Sequence, residues 1–171
     1  MRKHFSTLSI LLAATLAAIS FVSCDFKTDP NPDPIEGLYV YIEPCMDWTS
    51  DKNQTREYTL SLGNDWEEVT NGVGEDYLIF VNNTLMVEID YTFEDDILLE
   101  SSVLYLTNKE FDRMKSDWAG KFSLTWEETT VLGATAYKAE CSAKQSLMLA
   151  QKGSASGYNY MIMDICHLSE E

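Results

Sequence analysis

Cys166 and His167 adjoin near the end of the chain, the one place where a thiol and an imidazole are neighbours. A nucleophilic dyad needs both groups on one side of the backbone. The run 157–168 alternates like a strand, and successive strand residues point to opposite faces, so this pair is not expected to act together. The other histidine, His4, lies in the first few residues, so a Ser/His/Asp arrangement would also have to use His167. Glu67-Glu68, Glu94-Asp95-Asp96 and Glu127-Glu128 group carboxyls of the kind that hydrolyse glycosides, but they fall at expected turns and read as solvated acids. Gly72-Val73-Gly74 lacks a third glycine and leads into a strand, so it is no phosphate loop. The expectation is a non-enzyme.

Metal chemistry finds equally little. Cys45, Cys141 and Cys166 are scattered, which argues against structural zinc. Asp29, Asn31 and Asp33 have the spacing of a calcium loop, but Pro34 stands where that loop needs glycine and Val40 where it needs glutamate. No metal or cofactor is expected. Aromatic side chains make up 12% of the chain, and these are the residues that point to binding. Trp48 and Trp66 fall in expected loops, where an indole can stack on a sugar ring or anchor a partner. With Tyr39 and Trp126 they form the candidate ligand-binding set.

The elements that would position these residues are mostly strands. Leu85, Val87, Ile89 and Tyr91 interleave with Met86, Glu88, Asp90 and Thr92, and Phe122, Leu124 and Trp126 with Ser123, Thr125 and Glu127. This is the period of a strand with one buried face. Tyr77–Val81 and Ile97–Leu106 are apolar on both faces for part of their length. Nine strands are expected: 37–43, 57–62, 76–82, 84–92, 97–106, 120–127, 134–142, 145–151 and 157–168. One helix interrupts them over Lys109–Trp118, capped by Asn108, with Phe111, Met114 and Trp118 on one face and Gly120 as its stop. Short connections favour an antiparallel up-and-down meander. Closure into a barrel would hide its edges, with a two-sheet β-sandwich as the alternative. In a closed meander the first strand lies beside the last, which favours a Cys45–Cys166 disulfide and leaves Cys141 free.

The N-terminus carries an address. Arg2, Lys3 and His4 precede an apolar run from Leu8 to Val22, too short for a permanent span and right for a secretory signal. Phe21-Val22-Ser23-Cys24 resembles the lipobox of bacterial lipoproteins, in the form common among small lipoproteins of Bacteroidota. That resemblance implies cleavage of residues 1–23 and acylation of Cys24, which anchors the protein in the outer membrane, at the periplasmic face or the cell surface. Residues 24–34 are polar and spaced by prolines, as a semi-extended tether, and 35–171 read as a single β-barrel domain. Roughly 150 residues after the signal suffice for one core. The formal net charge of −16 disfavours nucleic acid and anionic lipid as partners.

Two stretches resemble small lipocalin-like domains. Pro34-Ile35-Glu36-Gly37-Leu38-Tyr39 is placed like the start of their first strand, and Ser146–Gln151 with Tyr158–Leu168 like their closing pair. The resemblance implies a barrel with an internal cavity and a small apolar or aromatic ligand. The expected function is a membrane-anchored, non-catalytic binding lipoprotein. The alternative is a structural or accessory subunit of an outer-membrane protein complex, with a filled core and no ligand.

Overall fold

The computed structural model describes residues 39–155 and 158–168. The expected signal, the lipidation site Cys24 and the tether 24–34 lie outside the described residues. Helix α1 (Lys52–Ser61) is followed by β1 (Glu67–Val69), β2 (Tyr77–Asn82), β3 (Val87–Glu94) and β4 (Ile97–Tyr105). Helix α2 (Phe111–Phe122) then leads to β5 (Glu127–Val131), β6 (Ala134–Cys141), β7 (Ser146–Ala155) and β8 (Tyr158–His167). The strands form one eight-stranded antiparallel sheet in the order β1-β2-β3-β4-β8-β7-β6-β5. It is two meanders of four strands joined at the centre through β4 and β8, with α2 carrying the chain from the middle of the sheet to its far edge.

The all-β expectation with strands over 76–82, 97–106, 134–142 and 157–168 matches the structure closely. Closure does not. The sheet is open, with β1 and β5 at its edges, and β8 lies between β4 and β7. It is also one sheet, not the two of a sandwich. The expected first strand is missing from 39–43, where the chain is irregular; residues 37 and 38 lie outside the described part. The remaining turns follow their residues. Asp95 and Asp96 both adopt positive φ between β3 and β4, as do Leu132 and Gly133 between β5 and β6, the geometry that fits a tight hairpin to twisted strands.

Two expected strands are corrected. Over 57–62 the alternation of Tyr58, Leu60 and Leu62 suggests a strand, yet α1 occupies this stretch. Asp51 accepts from the Gln54 amide at 2.8 Å while its own amide donates to Gln54 Oε1 at 2.9 Å, a reciprocal cap that fixes the helix start. Leu60 and Leu62 are exposed, and Thr55 and Thr59 turn inward instead. Over 120–127 the expected strand is partly helix. Gly120 does not stop α2, because Phe122 packs on Trp118 with ring centroids 5.6 Å apart and holds a further turn. The helix ends at Ser123, in left-handed geometry with φ 56. Its start also lies two residues later than Lys109, with Glu110 rather than Asn108 at the cap.

Both helices and the segment 39–50 pack on one face of the sheet, which we call the first face. Across it runs the row Phe80, Ile89, Val103, Met163 and Ala150, paired strand to strand and each fully buried. Trp118, Met114 and Phe111 of α2 complete this core. Segment 39–50 is pinned by the Cys45 amide donating to Tyr91 Oη at 3.2 Å and Ser101 Oγ donating to the Cys45 carbonyl at 2.6 Å. No helix among the described residues is long and apolar enough to cross a membrane.

Candidate functional site

The second face of the sheet carries what the first does not: acids at its centre. In register, Ile79, Asp90, Ser102, Asp164 and Leu149 form one row across β2, β3, β4, β8 and β7. Glu88 stands beside Asp90 on β3, and Glu100 stands opposite Cys166 on β4 and β8. Period-two alternation places these side chains together, since a strand's even and odd residues divide between the faces. Glu88 is 1% exposed and Asp164 3%. Leu104 and Ile162, with Tyr160 against them, form a small apolar cluster on the same face.

These carboxyls find almost no donors. Both oxygens of Glu88, both of Asp164 and Oδ1 of Asp90 are sealed from solvent without a hydrogen-bond partner, as is Oε1 of Gln151 on β7. The one bond of this kind is weak: the Cys166 thiol donates to Glu100 Oε1 at 3.5 Å. An ionised carboxylate buried without a counter-charge is costly, and proteins avoid it by keeping the proton. Burial accordingly pushes Asp164 up to about 8, with the charges of Glu100 and Asp90 adding to it. Burial likewise raises Glu88 and Asp90, and Glu88 rises further because Asp90 is its neighbour. Two neighbouring carboxyls resist ionising together, so each favours the protonated form of the other. Burial also raises Glu100, against a pull downward from the Cys166 thiol, and it raises Cys166, with Glu100 adding to the effect. Among the described residues no group of three or more His, Cys, Asp and Glu side chains could hold a metal ion.

The aromatic residues expected to bind ligand are not gathered in one place. Trp48 and Trp66 are buried rather than exposed, at 8% and 7%, because loop indoles fold back onto the protein to remove apolar area from water. Trp48 lies on His167 near the β6–β7 turn, and its Nε1 donates to the Lys144 carbonyl at 2.6 Å. Tyr39 is buried edge-on to Tyr105, with ring centroids 5.2 Å apart. Trp126 is half-buried, and its Nε1 donates to the Lys115 carbonyl at 3.0 Å. The Tyr39 amide also donates to Glu110 at the start of α2, so Tyr39 and Trp126 both contact that helix, while Trp48 joins the β6–β7 turn to the end of β8.

Cys166 and His167 do point to opposite faces. Cys166 meets Glu100 on the second, while His167 meets Trp48 on the first. The expected Cys45–Cys166 bridge is absent: Cys45, Cys141 and Cys166 are free thiols. Its basis was a first strand lying beside the last, and β8 has β4 and β7 as neighbours instead. Cys45 sits in the core of the first face, across the sheet from Cys166. No protein-family model, curated protein or solved structure matches the chain.

Proposed function

We propose that the chain is a non-catalytic lipoprotein, anchored in the outer membrane through Cys24, that works as an accessory subunit of a membrane protein complex. One observation favours this over a carrier of a small apolar ligand: the space between sheet and helices is filled. Trp118, Met114, Phe80, Ile89 and Met163 are all fully buried there, with α2 supplying Phe111, Met114 and Trp118 to that core. A ligand site of ordinary size needs roughly 300 Å3 or more of open interior, and burying aromatic side chains in that space supplies stability instead. The separated tryptophans and the split Cys166-His167 pair support a role without catalysis.

The test is the mass of the native particle. The full-length protein, extracted from its own membranes in mild detergent, is expected to travel as a complex larger than the single chain and to leave a fluorescent fatty acid unbound. A lone chain that binds the fatty acid with micromolar affinity would reverse the choice in favour of the lipocalin-like carrier.

A further inference from the structure

Six side-chain oxygens on the second face lack a partner: two each from Glu88 and Asp164, one from Asp90 and one from Gln151. Gln151 pairs with Ile162, two residues before Asp164 on β8, so its carbonyl oxygen lies diagonal to the Asp164 carboxyl, within about 7–8 Å. Asp90 and Asp164 flank Ser102, two strand spacings or roughly 9–10 Å apart. The titratable groups on this face from the other positions of the sheet are Glu67 from β1, Tyr77 from β2, Tyr160 and Cys166 from β8, Lys138 and Glu140 from β6 and Glu127 from β5, with none from β7. Lys138 is the one lysine or arginine that the described strands place on the second face, since Lys152 of β7 lies over Phe111 on the first. It is exposed and held by Glu127 at 3.5 Å, at the far end of the row. Among the described residues the acids therefore have no ion-pair partner.

We infer that Glu88, Asp90, Glu100 and Asp164 form a proton-operated latch at the centre of the sheet, closed while the carboxyls hold their protons and loosened when they lose them to water. The latch joins the two meanders, because Glu100 and Ser102 of β4 meet Cys166 and Asp164 of β8 at the seam. Ionisation would place like charges on adjacent strands in a setting of low dielectric, where their repulsion is strong. Each carboxyl holds its proton more tightly folded than unfolded. Its stabilisation is therefore complete below about pH 4, the usual range of a free carboxyl. It is lost as the pH climbs through the folded value, which for Asp164 is about 8. The inference is independent of the anchor and of the accessory role.

Thermal unfolding of the full chain in mild detergent tests it. The Tm should fall by about 5 °C or more between about pH 5 and about pH 8.5. Glu88→Gln with Asp164→Asn should flatten that fall and raise the Tm at the upper pH. Glu57→Gln with Glu75→Gln removes as much charge from exposed positions and should leave the slope intact. A flat wild-type profile, or equal flattening by both pairs, would overturn the latch and leave general charge repulsion. If the buried pair does not fold, the wild-type profile in about 0.5 M salt decides, because salt screens exposed charges far more than buried ones. A slope that persists in salt supports the latch, and one that vanishes refutes it.

Discussion

The indole of Trp48 lies flat against the imidazole of His167, with ring centroids 5.4 Å apart and planes 18° from parallel. The contact joins two residues that are far apart in sequence and that sequence reasoning treats separately, one as a ligand platform and the other as a doubtful catalyst. In the fold the two pack on one another. With its Nε1 on the Lys144 carbonyl, Trp48 ties the irregular segment before α1 to the β6–β7 turn and to the end of β8. Trp48→Ala is expected to cost about 3–5 kcal/mol, the range for removing a large buried aromatic. Trp48→Phe keeps a ring on His167 and loses the hydrogen bond, so about 1 kcal/mol plus some packing is expected. Urea unfolding of both variants measures this. A loss under about 1 kcal/mol for the alanine would return Trp48 to the list of ligand contacts.

The thiols give a second prediction. Cys45 and Cys141 are buried in the core of the first face, at 3% and 1% exposure, and Cys166 is half-buried on the second. Burial and the neighbouring Glu100 hold the Cys166 thiol protonated, so its thiolate, the reactive form, is scarce. Alkylation of the folded protein should reach Cys166 first but slowly, and Cys45 and Cys141 only on unfolding. Non-reducing peptide mapping should find no Cys45–Cys166 link. Such a link would require a partner strand for β8 other than β4 and β7.

Strand positions were legible because alternation is a direct image of one-sided burial. Val87, Ile89 and Tyr91 do face the helices. The stretch 57–62 misled because alternation is also what a short polar helix can show by chance, and the decisive signal was local: the Asp51–Gln54 cap. Sheet order was not legible, since hydrophobic period says which face a strand buries and nothing about which strand lies beside it. The acid row was missed for a related reason. Glu88 and Asp90 alternate with apolar residues and so read as the wet side of β3. A signal was nevertheless present in the partner strands. Asp164 stands inside Met161-Ile162-Met163-Asp164-Ile165, and Glu100 inside the run Ile97–Leu106 that is apolar on both faces. An acid within a strand that buries both faces has no wet side to point to.

The last prediction concerns the residues before Tyr39, and it rests on sequence chemistry alone. Arg2 and Lys3 supply the basic start, the run from Leu8 to Val22 supplies the apolar segment, and Ser23-Cys24 supplies small-residue chemistry at its end. A single acyl chain gives only marginal membrane binding, so stable anchoring needs more than one chain at the cysteine. Replacing that cysteine removes the proposed point of attachment without touching the described domain. Cys24→Ala is therefore expected to give protein that keeps its signal or appears in the soluble fraction, with the Tm of the domain unchanged. Membrane fractionation with mass spectrometry of the N-terminus follows both outcomes. A Cys24→Ala chain that has lost residues 1–23 and still partitions fully with membranes would place the attachment elsewhere.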